Sequence, residues 1–294
     1  MESEGHVVRD DEEHGHAAQV IDAHHHLWRY TPAEYGWIDE TMEALRRDFL
    51  PGDLAAEMAA AGIDGSVAVQ ARQTLEETAW LLDVAEREGS VIRGVVGWAP
   101  IAGEEFPEVM EQFDGRAKLK GLRHVIQAER DENYILREDF NSGIRAMRGS
   151  GLVYDILIFE RHLPQTIEFV DGHPEQAFVL DHVAKPLIAG GAVEPWATRM
   201  RELGQRDNVW CKLSGMVTEA DWRSWTPETL KPYLDVAVEA FGPARLMAGS
   251  DWPVCLVASG YTQWWDLLRT YFSPFSAAER AAVFGSTAIE VYGL

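Results

Sequence analysis

The chain has 294 residues, 46% apolar and 25% charged, which suits one large α/β barrel better than two ordinary domains. With 26 Lys and Arg against 48 Asp and Glu, the formal charge of −22 repels phosphate backbones and anionic lipid, so nucleic-acid and membrane partners are not expected. Two cysteines in no paired spacing, Cys211 and Cys255, speak against a disulfide framework or a thiolate metal site. No segment reaches about 18 uninterrupted apolar residues, so no membrane span is expected.

The opening stretch MESEGHVVRDDEEHGHAAQ carries acids where a signal peptide needs positive charge. Residues 1–18 read as a disordered acidic tail of a cytoplasmic protein, with His6, His14 and His16 as solvated tail residues. From Val20 onward, short β-branched or apolar runs alternate with helix-patterned segments. The runs are VIDAHHH, IDGSVAVQ from Ile63, VIRGVVGWAP from Val91, LKGLRHVIQ from Leu119, LVYDILIFE from Leu152, AFVLDHVAKP from Ala177, VWCKLSG from Val209 and LMAGSDWP from Leu246. Eight strands at roughly the spacing of a βαβ unit predict an α/β fold, a (β/α)8 TIM barrel over residues 19–294. Thr74 with Glu77 and Ser276 with Glu279 have capping-box spacing, and Thr226–Pro227 marks a helix start. Gly89, Gly242 and Gly285 stand where helices should stop.

In such a barrel the reacting groups come from the C-terminal ends of the strands. The first strand ends in His24-His25-His26, and strand alternation turns His24 and His26 to one side and His25 to the other. His182 follows the sixth strand, and Asp251 follows the eighth in GSDWP. Imidazoles with a carboxylate suit zinc and similar divalent ions, while Asp251 alone could act as a general base on water. Each residue has a structural alternative, a satisfied interior histidine or a capping aspartate. Four such residues on one rim favour a site. Further rim candidates are Trp28, Gln70, Arg72, Trp98, Arg123, His124, Asp155, Lys185 and Trp252. Arg123 and His124 are adjacent, so only one of them can face the interior. No GxGxxG after a strand and no GxxxxGK[ST] occurs, so no nucleotide cofactor is expected.

The runs IDAHHHLWRYTPAEYGWI, FVLDHVAKP, VWCKLSGMVTEADW and RLMAGSDWPVC resemble those of the amidohydrolase-2 family, in its sugar-lactonase branch of fuconolactonases and rhamnonolactonases. The resemblance extends from about Val20 to Leu294. It implies an amidohydrolase-type barrel with His24, His26, His182 and Asp251 as the metal-and-base core. It also implies a catalytic role for Asp251 and His182, and one divalent ion, zinc or manganese, or none. The fuller family pattern has a further histidine or a bridging lysine on intermediate strands, where the fifth strand offers Tyr154 and Asp155. The expected reaction is hydrolysis of a small sugar-acid lactone by Asp251-activated water, with Gln70, His124, Trp252, Arg123 and Trp28 touching the substrate. The alternatives are a non-oxidative decarboxylase or hydratase, and a non-catalytic barrel that binds sugar acids. The only partner expected is the small substrate, for a monomer or homodimer.

Overall fold

The computed structural model describes residues 18–294. The tail expected at residues 1–18, with His6, His14 and His16, lies outside the described residues except for Ala18. Among those described, eight strands form one parallel sheet in chain order: β1 (Ile21–His25), β2 (Gly65–Val69), β3 (Ile92–Gly97), β4 (Leu119–His124), β5 (Val153–Ile156), β6 (Phe178–Leu180), β7 (Val209–Leu213) and β8 (Leu246–Ala248). Helices return the chain after each strand: α1 (Pro51–Ala61), α2 (Leu75–Ala85), α3 (Phe106–Glu111), α4 (Glu138–Ala146), α5 (Leu163–Asp171), α6 (Trp196–Leu203) and α7 (Pro227–Phe241). After β8 come α8 (Tyr261–Phe272), α9 (Ala277–Ala281) and α10 (Thr287–Tyr292). All eight expected strands are present. No described helix is long and apolar enough to cross a membrane.

The sheet curls so that its first and last strands meet just beyond their ends. Asp251 N–H donates to the His24 carbonyl at 2.8 Å and His26 N–H to the Trp252 carbonyl at 2.6 Å. The buried Asp22 carboxylate ties this seam by accepting from Ser250 N (2.8 Å), Ser250 Oγ (2.6 Å) and Tyr261 Oη on α8 (2.9 Å). Burial pushes Asp22 up to about 6, against the lowering effect of those hydrogen bonds.

Two cores result. A large outer one lies between sheet and helices. A smaller inner one fills the lower barrel with Ile21, Val67, Val96, Val153, Val179 and Met247, joined by Tyr292 of α10. Inward β-branched side chains are the usual filling of a small barrel.

Local signals hold with two amendments. Thr74 caps α2 by accepting from Glu77 N, but the Glu77 carboxylate accepts from Ala71 N (2.8 Å) and Arg72 N (2.6 Å) instead of closing a capping box. Gly285 does not stop a helix. It sits in a π-helical turn, Ala282–Ser286, where a Cβ would lie 1.8 Å from the Gln19 carbonyl oxygen. Close approach to the chain entering β1 demands the glycine.

Candidate active site and metal centre

The first ligand pair depends on a slip in register. Ile21 and Ala23 face the inner core while Asp22 faces α8. Simple alternation would then turn His24 outward, but the pairing of β1 with β2 shifts between Asp22 and His25. A bulge of this kind reverses the phase, and His24 turns inward. His24 and His26 then converge, Nε2 to Nε2 3.2 Å, while His25 is buried with neither ring nitrogen bonded. The expected grouping of His24 with His26, away from His25, is therefore found, and the bulge decides that their side is the inward one.

His182 and Asp251 stand on bent backbone. His182, Val183, Ala184 and Lys185 all have positive φ (55°, 47°, 60° and 48°), and Asp251 has φ 56°. Left-handed conformation costs an L-residue about 1–2 kcal/mol. Such strain persists where packing over-determines it, and it clusters at functional sites. Here Val183 and Ala184 are wholly buried, and the Val183 carbonyl accepts from Trp196 Nε1 at 2.8 Å.

The four groups meet at Asp251. Its Oδ1 lies 3.3 Å from His26 Nε2, 3.8 Å from His24 Nε2 and 3.9 Å from His182 Nε2. His24, His182 and Asp251 each offer one ligand atom, all within 4.8 Å of one another. His26 Nδ1 lies 2.8 Å from the Val69 carbonyl, which can only accept, so its Nε2 keeps a free lone pair. His182 Nδ1 is held by Ser214 Oγ at 2.8 Å. Burial drives His24 well below its usual value and His182 down to about 4, so both imidazoles are neutral at pH 7. Burial would raise Asp251, but the neighbouring His182 and His26 outweigh it and keep the carboxylate ionised. Neutral imidazoles beside an ionised carboxylate are the donor set that a divalent ion such as zinc requires.

Beneath them lies a buried polar column. Lys212 Nζ on β7 sits 2.5 Å from Asp155 Oδ2, 3.1 Å from Asp181 Oδ1 and 3.2 Å from His24 Nδ1. Arg123 reaches Asp181 Oδ2 at 2.9 Å and also bonds the Gln70 carbonyl. From below, the Tyr292 hydroxyl lies 2.8 and 2.9 Å from the two Asp155 oxygens. Two carboxylates thus face two cations. Buried ions need such pairing. Burial raises Asp155 despite Lys212, while Asp181 falls well below its usual value because Lys212 and His24 outweigh its burial. Sequence reasoning passed over Lys212, although a lysine amid the apolar run VWCKLSG signals a buried charge in need of partners.

A cavity of about 590 Å3 opens above, lined by His26, His182, Asp251, Arg123, Arg72 and Lys185 among others. Trp37 and Glu34, which the sequence did not single out, form part of its wall. Four expected substrate contacts stand elsewhere. Trp28 is buried against Phe49 and its Nε1 is bound to the Arg47 carbonyl (2.9 Å). Trp252 is turned away by the left-handed Asp251 and packs edge-on to Phe49, ring centroids 5.2 Å apart. Gln70 is fully buried and donates to the Arg123 carbonyl at 3.2 Å. His124 faces the helices, stacked on Tyr134 and 2.7 Å from Glu129, so Arg123 is the inward member of that pair. Trp98 lies beside His124, its Nε1 3.4 Å from Nδ1.

Comparison with known proteins identifies relatives along nearly the whole chain. The chain is 42% identical over 285 residues to an L-fucono-1,5-lactonase of Burkholderia multivorans, covering 93% of this chain and 96% of the relative. It is 37% identical to an L-fucono-1,5-lactonase of Burkholderia ambifaria, over 92% and 94% of the two chains. A solved amidohydrolase from Burkholderia multivorans with bound zinc superposes with a TM-score of 0.90 at 42% identity, over 94% of this chain and 100% of that one. The amidohydrolase family model matches residues 21–294, and the chain belongs to the amidohydrolase family.

Proposed function

We propose that the chain hydrolyses a sugar lactone to its open hydroxy acid, with Asp251 as general base and His24, His26, His182 and Asp251 as ligands of one divalent ion. The observation that carries this is the convergence of three imidazoles on the Asp251 carboxylate at the floor of the cavity. The likeness to L-fucono-1,5-lactonases names the substrate class, and the zinc in the solved relative supports the ion. Such an ion, when bound, polarises a carbonyl and lowers the pKa of water.

The chain's own groups do the rest. Asp251, ionised and within 3.9 Å of all three imidazoles, takes the proton of the attacking water as its oxygen bonds to the ring carbonyl carbon. The ester C–O bond then breaks, and Asp251 returns the proton to the departing ring oxygen. Because burial holds His182 and His24 neutral, a protonated histidine is a poor stabiliser of the developing oxyanion. Lys185 and Arg123 supply positive charge from the cavity wall.

A pH-indicator assay over a panel of lactones headed by L-fucono-1,5-lactone tests this reading. Acid release that stops on chelation and returns with zinc or manganese is expected. Carbon dioxide release from an aromatic acid, with no lactone opened, would replace the hydrolase by a lyase.

A further inference from the structure

Resting on the lactonase reading for its substrate class, we propose that Trp37, Glu34 and Arg72 form a specificity subsite for the hydroxyl-bearing part of the sugar ring, away from the reacting carbonyl. Trp37 is 43% exposed, a rare position for an indole, and it lines the same cavity as Asp251. It does not hang free. Its ring meets buried Trp28 edge-on, with centroids 5.8 Å apart and planes at 88°. A fixed, open aromatic face beside a polar site is complementary to the C–H face of a saccharide ring.

The polar half stands next to it. Glu34 and Arg72 form an ion pair on the cavity wall, joining the loop after β1 to the end of β2. Their frame is rigid, because fully buried Glu77 accepts from Ala71 N, Arg72 N and the Tyr35 hydroxyl (3.3 Å). The Arg72 guanidinium also lies over the Tyr35 ring, 5.5 Å from its centroid. Arg72 Nε is buried and lies 3.6 Å from Glu77 Oε1, which holds the guanidinium from behind. A carboxylate offers acceptors and a guanidinium offers donors, so together they can bond neighbouring hydroxyls, each of which donates and accepts. An unsubstituted lactone would leave both groups unused.

Two measurements test the subsite, and they separate its failure from that of the lactonase reading. In calorimetry on the intact protein, a six-carbon aldonic acid should bind at least about tenfold more weakly to Trp37→Ala and to Arg72→Ala, a loss of about 1.4 kcal/mol. Trp37→Phe should keep most of the affinity. In kinetics, the same alanine variants should raise KM for a polyhydroxylated δ-lactone about tenfold or more, with kcat changed little and kcat/KM for unsubstituted δ-valerolactone unchanged. Unaltered aldonate binding, or equal losses on both lactones, overturns the subsite. Should no lactone be opened by the wild type while the aldonate still binds through Trp37, the subsite stands and the lactonase reading falls.

Discussion

The two ends of the barrel interior are built on opposite plans. At the base, Val67, Val96, Val153, Val179 and Met247 form an apolar plug. At the mouth the same inward positions carry Arg123, Asp155, Lys212 and His24, nearly all wholly out of water. The left-handed residues His182–Lys185 and Asp251 lie only there. Apolar layers hold the strands in place, and the energy they release offsets buried charge and bent backbone at the other end. The contrast teaches that stability and chemistry are divided along the barrel axis, as two strands show: Val153 below Asp155 on β5, and Val179 below Asp181 at the end of β6.

The division can be broken most severely at Asp251. Asp251→Asn should lower kcat about 10²–10⁴-fold with the fold intact, because the amide keeps the shape and cannot take a proton. Steady-state kinetics beside circular dichroism checks this at matched metal content.

Lys212→Met tests the seam between the two halves. It leaves Asp155 and Asp181 short of a cation, and breaking a buried pair costs about 3–5 kcal/mol. Urea unfolding should show that loss, and metal analysis should show less ion retained, since Nζ also stands against His24. Retention of both would mean that the column does not support the site.

Met247→Ala should act on the base alone. Truncating a buried methionine costs about 2–5 kcal/mol, and kcat/KM measured well below the melting temperature should change less than about twofold. A change in kcat larger than the change in stability implies would show that the halves are mechanically joined.

The smallest effect is expected at His173, buried at the base after α5. Burial, with Arg148 and Arg145 nearby, pushes its pKa down to about 4, whereas an unfolded histidine titrates near about 6.5. Between those values the unfolded chain binds a proton that the native one does not, so this contribution is complete above the upper value and is lost progressively as pH falls to the lower. His173→Gln should flatten the fall of melting temperature across that window and leave the neutral-pH rate unchanged.

Much of this division was legible in the sequence. Each strand was marked by its β-branched run, and the four groups at the rim stood at strand ends where barrel chemistry belongs. The direction of side chains was harder. Three consecutive histidines leave the phase of β1 ambiguous, and only the slip against β2 decides that His24 points inward. Trp252 looked like a rim indole because nothing in GSDWP announces that Asp251 turns left-handed. Trp37 and Glu34 were missed for a different reason. They lie on a loop without periodicity, and its return over the cavity depends on long-range bonds to Glu77 and Arg47. Lys212 was legible in principle, as a charge in an apolar strand, but its partners lie on three other elements.

The Tyr292 hydroxyl beneath Asp155 imposes an order of events on biosynthesis. His24 and Tyr292 are 268 residues apart (292 − 24), and they serve one column through Asp155 and Lys212. A ribosome adding about 5–20 residues per second needs roughly a quarter to a full minute to pass from one to the other. During that interval the charged interior lacks its lower cap, and α10 cannot yet close the barrel floor. Asp155, Asp181 and Lys212 are therefore added in turn with no floor beneath them, 80 residues still separate Lys212 from Tyr292 (292 − 212), and the site is finished only when α10 docks. A chaperone or protease that meets the emerging polypeptide would encounter an unsealed barrel until then.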